Sequence, residues 1–325
     1  MENLKENPWI YVISKILSTE EQHIRSWLNE LENELSQENR FFPDGKILKL
    51  IDKLTTGPHK TLNAGAVMYR ARTIDKYHEN QFFEKIVTDF NQTIVNYIPD
   101  FDLKNGQNEL IRLIKYTHSK SSDNLLMNKD LDDFYSKYTI KGWWGYNEKE
   151  SDAPPKGIAS AGRINPKGIS YLYAADNKRT AALEVRPVIS QYVSIAEIQL
   201  TENIHLFDFT AQYNLEQSLK DVDCSIILSV LSEYFSNPNY SDDSAYLATQ
   251  YISEYIKHIH DKSGKPLFDG LCFKSSLDEV GMNYVLFDVN ETKKYQIKNS
   301  SVYQTKSLDG CLQQQLPLLQ STGYL

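Results

Sequence analysis

The chain has 325 residues, 41% of them hydrophobic and 24% charged, and a formal net charge of −8. That length suits one large domain or two smaller ones, and the acidic balance excludes binding nucleic acid through a broadly basic surface. No apolar run approaches the roughly 18–20 residues that span a bilayer, no signal peptide is expected at the N-terminus, and Cys224, Cys272 and Cys311 include no C-x-x-C pair, so a cytoplasmic protein without disulfides or structural zinc is expected.

Residues 1–60 read as helical. Ser18-Thr19-Glu20-Glu21 offers an N-cap with acids in the first turn. Ile24, Leu28, Leu31 and Leu35 then recur at helical spacing, and residues 47–54 form a short amphipathic helix that stops at Gly57-Pro58. Residues 66–72 predict a short buried strand ending in Tyr69-Arg70-Ala71-Arg72. Helices are expected over 82–90, near 110–114 and over 125–138, with a polar loop at 119–123. Glycine, Trp143-Trp144 and Pro154-Pro155 make 141–157 a long loop, of the kind that often walls a site. From 162 onward the signals alternate: strands at 170–175, 192–200, 204–209, 268–274 and 284–289, and helices at 178–186, 225–235 and 244–259. Beyond 291 the pattern is weak, apart from a strand near 295–297. The mixture makes the class α+β with a helical N-terminal extension.

The densest signal is Gly162-Arg163-Ile164-Asn165-Pro166, then Tyr171-Leu172-Tyr173, then Thr180-Ala181-Ala182-Leu183-Glu184-Val185-Arg186-Pro187. Glycine permits close backbone approach and Asn-Pro forces a turn. An arginine on such a turn can fork onto phosphate oxygens, or be an ordinary turn arginine. Tyr171 and Tyr173 share one strand face, where they wall a pocket or pack across strands. Glu184 lies in a helix that otherwise reads as buried, so its carboxylate needs either a salt-bridge partner or a function. Two groups at other strand ends join the candidates: Tyr69-Arg70, and Ser275-Ser276 after Leu271-Cys272-Phe273. Arg112 and His118 have the loose spacing of a helical ribonuclease motif. His258 and His260 point to different helix faces and make a poor metal pair.

The blocks GRINPKGISYLYAA, TAALEVRP, YLATQYISEYIK and DGLCFKSS followed by GMNYVLF resemble the RES-domain family. The helical start is similar to the HEPN-like region of some longer members. The resemblance implies an ADP-ribosyltransferase-like RES domain over 61–290 with an insertion at 78–157, a helical region over 1–60 and a C-terminal tail over 291–325. It implies NAD+ degradation by hydrolysis or phosphorolysis, as in toxins of toxin–antitoxin pairs. NAD+ is then substrate and not cofactor, with phosphate as a candidate co-substrate. An antitoxin or immunity protein and a second copy of the chain are the candidate partners; membrane and nucleic acid are not expected. Matched by motif, Arg70, Glu184 and Ser275 are the catalytic candidates, with Ser276 as the rival serine. Tyr69, Arg163, Asn165 and Tyr173 are the substrate-binding candidates. Transfer of ADP-ribose to a macromolecule, a ribonuclease built on Arg112 and His118, and a module that senses NAD without cleaving it are the alternatives.

Overall fold

The computed structural model describes residues 8–43, 45–97, 129–134, 145–212, 219–236, 246–287, 293–306 and 312–315. Outside these lie Arg112, His118, Trp143, Trp144, Cys311, the helix expected near 110–114, the loop at 119–123 and most of the helix expected over 125–138. The chain divides into two compact units, one of residues 1–68, 153–180 and 199–296, the other of 69–152, 181–198 and 297–325.

In the first unit, α1 (Pro8–Asn33) begins at a proline, whose missing N–H is no loss at a helix's first position. The start expected at Ser18–Glu21 is therefore corrected. Those residues lie inside α1, where Ser and Thr are tolerated once both flanks are helical, and Glu21 pairs with Arg25 one turn on at 2.8 Å. A π-helical turn, Glu34–Glu38, ends α1, and α2 (Lys46–Leu54) follows. The periodic residues Ile24, Leu28, Leu31 and Leu35 are buried, as are Ile47, Leu50, Ile51 and Leu54 of α2.

Five strands of this unit lie in the order β1 (Lys60–Leu62), β5 (Ile204–Asp208), β6 (Gly270–Lys274), β7 (Met282–Leu286), β3 (Leu172–Ala175). All neighbouring pairs are antiparallel except β5–β6, which is parallel. Strand alternation gives this sheet two unlike faces. Phe207, Leu271, Phe273 and Val285 pack with α1, α2 and the helices Leu219–Ser236 and Leu247–Lys257 into one apolar core. The paired positions Lys60↔Leu206, Asp208↔Cys272 and Cys272↔Tyr284 place the polar groups on the other face.

The second unit holds most of β2 (Val67–Ile74), α3 (Lys76–Val95), α4 (Glu148–Ser151), β4 (Tyr192–Leu200), β8 (Tyr295–Thr305) and β9 (Leu312–Gln315). Where the sequence pattern reaches only 295–297, β8 runs eleven residues. Its polar tract is interspersed with buried residues, Tyr295, Ile297, Val302 and Tyr303 among them. Ile74, Tyr146 and Val302 form a small core. α4 interrupts the expected loop through a capping box: Asn147 caps the Glu150 N–H and the Glu150 side chain returns to the Asn147 N–H. The N-x-x-E spelling of that turn is its sequence signal.

Candidate functional site

The turn at Gly162–Ser170 is organised by Asn165. Its buried amide donates to the carbonyls of Ser160 at 2.9 Å, Ile169 at 2.8 Å and Pro166 at 3.2 Å. Its Oδ1 accepts from the Tyr173 hydroxyl at 2.6 Å, and the same hydroxyl accepts the Ile164 N–H at 3.2 Å. Gly162 is required by close approach: a Cβ there would sit 2.7 Å from Asn165 Oδ1 and 2.9 Å from the Tyr173 hydroxyl. These contacts make Asn165 a loop-holding residue, because its amide is consumed inside the protein. Tyr173 is half-buried beside the core, whereas Tyr171 is 1% exposed, bonds Glu254 and packs 5.0 Å from the ring of Phe287. Cross-strand packing is therefore the reading that holds for Tyr171.

Arg163 extends from this turn to the last turn of the helix we number α6 (Leu219–Ser236). Its Nη1 donates to the Phe235 carbonyl at 2.5 Å, and its guanidinium lies 5.9 Å from the ring centroid of Tyr246. A cation is favoured there because the final carbonyls of a helix lack partners and carry its negative pole. α7 (Leu247–Lys257) holds the backbone on either side: Thr249 Oγ1 donates to the Arg163 carbonyl at 2.5 Å and Gln250 Nε2 to the Gly162 carbonyl at 2.8 Å. Among the described residues no carboxylate forms an ion pair with Arg163, and a guanidinium has four further N–H donors.

The same end of α6 meets Ser275. Ser236 Oγ donates to the Lys274 carbonyl at 3.0 Å, so Arg163 and the Ser275 loop attach to consecutive residues of one helix terminus. Ser275 is 7% exposed; its Oγ accepts the Leu277 N–H at 3.1 Å, and its own N–H bonds the Gly281 carbonyl at 2.9 Å. It borders an open pocket of about 660 Å³, lined by Phe209, by Leu228 and by Ser225, Ser229, Ser232 and Ser236 from one face of α6.

In the second unit the two arginines of β2 have different surroundings. Arg72 donates to the Glu150 carbonyl and stacks 4.5 Å over the Tyr146 ring, whose hydroxyl bonds the Thr73 carbonyl at 3.2 Å. That side chain is committed to tying Tyr146 to the strand. Tyr69 and Arg70 are half-buried, and the Arg70 Nε is enclosed. Glu184 is the last residue of the helix between β3 and β4, α5 (Lys178–Glu184), and it is exposed. The expectation of a buried carboxylate is corrected: Thr180, Ala181 and Ala182 are buried, and Glu184, at the C-terminal end of the helix, is exposed. The helix ends at Glu184; Arg186 beyond it has a left-handed φ of 47° and precedes Pro187, which cannot continue a helix.

The polar face of the first unit's sheet is chemically closed. Burial, with Asp208 beside it, pushes the Cys272 thiol well above its ordinary value. Tyr284 is raised mainly by burial, against the pull of Lys60. Burial works to lower Lys60, but the surrounding acidic groups, Tyr284 foremost, leave it raised. A neutral thiol, a neutral phenol and a charged lysine make a satisfied network without an activated nucleophile.

A family model described as the RES domain matches residues 137–308, just over half of the chain. The chain belongs to the RES-domain family. No curated protein and no solved structure matches it. The RES match includes Arg163, Asn165, Tyr173, Glu184 and Ser275, while Tyr69 and Arg70 precede it. Among the described residues of this RES protein, no helix is long and apolar enough to cross a membrane. Two buried polar residues beside these positions escaped the sequence reading: Thr180 and Asp278, whose side chains bond at 2.6 Å. They lie 98 residues apart, and neither stands in a spacing that announces the other.

Proposed function

We propose that this RES protein degrades NAD+ by breaking the bond between nicotinamide and ribose, as a glycohydrolase or phosphorylase, and depletes NAD+ as a bacterial toxin or defence effector. The carrying observation is the RES match over residues 137–308, a span that includes Arg163, Tyr173, Glu184 and Ser275. In this reading Arg70 and Arg163 hold the pyrophosphate and Tyr69 or Tyr173 packs on nicotinamide or ribose. Ser275 orients the substrate. Asn165 serves indirectly, by keeping the Arg163 turn in shape. The RES domain spans 61–290 with its insertion at 78–157, the site lies in the cytoplasm, and an antitoxin or immunity protein restrains it.

The chemistry asks little of the leaving group. The C1′–N bond breaks with its electron pair moving onto the pyridinium nitrogen, which leaves as neutral nicotinamide and needs no acid. Positive charge develops on the ribose as an oxocarbenium-like species. Glu184 faces that charge and holds the ribose hydroxyls; it is exposed at the end of α5. Water or phosphate then bonds C1′, and water gives up its proton to solvent.

Incubating the purified protein with labelled NAD+, with and without phosphate, tests the reading through its products. Free ADP-ribose or its phosphate ester is expected. Label on a macromolecule would assign ADP-ribosyl transfer instead, and RNA cleavage lost in His118→Ala would assign a ribonuclease. Glu184→Gln is expected to fold normally and to lose NAD+ consumption by about 100-fold or more; full activity in that variant sinks the assignment.

A further inference from the structure

We infer that Asp278 and Thr180 are a positioning pair that fastens the Ser275 loop to the first turn of α5. The activity readout of this inference rests on the proposed NAD+ cleavage. Asp278 is 5% exposed, and an enclosed carboxylate is expensive unless bonded and paired. Its Oδ2 accepts from Thr180 Oγ1 at 2.6 Å, and its Oδ1 lies 3.9 Å from Arg179 Nη1. Thr180 is fully buried, and its N–H is capped by Asn177 Oδ1 at 2.8 Å.

Backbone contacts join the same two segments. The Asp176 N–H donates to the Met282 carbonyl at 3.0 Å, and the Met282 N–H returns to Asp176 Oδ1 at 3.1 Å. Gly281 closes the gap: a Cβ there would stand 2.2 Å from Thr180 Oγ1. Within the loop, Gly281 bonds the Asp278 carbonyl and Ser275 bonds the Gly281 carbonyl. Asp278 is thus the side-chain link in a short circuit running from Ser275 to the start of the helix that ends in Glu184. A rigid turn of this kind holds reacting groups in register, and small displacements of such groups are costly to rate.

The test compares Thr180→Val, Thr180→Ser, Asp278→Ala and Asp278→Asn in the full chain. Thr180→Val and Asp278→Ala are expected to lower kcat on the order of 10- to 100-fold, with KM within about 3-fold. Thr180→Ser and Asp278→Asn keep a hydroxyl donor and a side-chain acceptor and are expected to restore most of the loss. Unchanged kcat in Thr180→Val and Asp278→Ala, a loss confined to KM, or Thr180→Ser as impaired as Thr180→Val would overturn the pair. Hydrogen exchange gives a readout independent of activity: Thr180→Val should speed exchange in 275–281 and 178–184 together. If the unaltered protein consumes no NAD+, the proposed function falls, and the pair is judged by exchange alone. Acceleration in one segment without the other overturns it.

Discussion

The turn at Gly162–Ser170 and the loop at Ser275–Met282 solve one problem in two ways. Each reverses the chain beside a family motif, and each is drawn tight around a buried polar side chain near a closely approached glycine. In the first, Asn165 spends its whole amide on carbonyls within four to five residues and on the Tyr173 hydroxyl. In the second, Asp278 reaches across 98 residues to Thr180, and the Ser275 hydroxyl accepts a neighbouring N–H while bordering a pocket. The anchor of the first turn bonds residues at most eight positions away, whereas the anchor of the second bonds another element. A polar residue in a motif is therefore not automatically a ligand-binding residue: Asn165 has its full set of bonds before any substrate arrives.

This contrast can be broken most directly at the two polar anchors. Asn165→Ala removes the acceptor of the Tyr173 hydroxyl and the donor to three carbonyls, and it is expected to lower unfolding free energy by about 3 kcal/mol. Ser275→Ala removes the acceptor of the Leu277 N–H and should lower it by about 1 kcal/mol, while reducing NAD+ consumption far more. Denaturant midpoints at constant m separate the two. Equal losses from the two substitutions would erase the distinction between scaffold and site.

The glycines sharpen it. Gly281→Ala would drive a methyl into both Thr180 Oγ1, at 2.2 Å, and Cγ2, at 2.6 Å, of a buried β-branched residue that cannot turn away. Gly162→Ala meets the far ends of Asn165 and Tyr173 at 2.7 and 2.9 Å, which have more room to give. Thermal unfolding should therefore rank Gly281→Ala as the more damaging, by about 1 kcal/mol. The reverse order would mean that the helix-anchored loop is the more adaptable of the two.

The smallest effect lies away from both loops. His59 packs against Phe207 at 5.0 Å and Phe268 at 4.6 Å, and its Nε2 bonds the Thr55 carbonyl at 3.2 Å. Burial lowers its pKa below the ordinary value, so the folded protein favours the neutral ring. A depressed histidine contributes stability that is present above the unfolded pKa near 6.5 and is lost as pH falls through it toward the folded value. Urea midpoints should decline between about pH 7 and 5, and His59→Phe should flatten that decline; an unaltered slope would assign the acid sensitivity elsewhere.

Much of the local architecture was legible without coordinates. Ile24, Leu28, Leu31 and Leu35 announce α1 because a helix repeats every 3.6 residues, and all four are buried. The strands β2 to β7 follow from apolar runs bounded by turn residues. The motif blocks point to the RES family, because turn chemistry and a strand must recur in order for them to match. Where α1 starts was misread, since a capping sequence inside a longer helix is overridden by the turns on either side. β8 was underread because its inward residues are spaced among Gln, Lys, Asn and Ser. Only the tertiary structure decided that Asn165 is scaffold, that Arg72 is committed to Tyr146, that Glu184 is exposed, and that Asp278 bonds Thr180. These outcomes depend on which groups meet across the fold. A hydrogen bond between residues 98 apart leaves no periodicity in the chain that forms it.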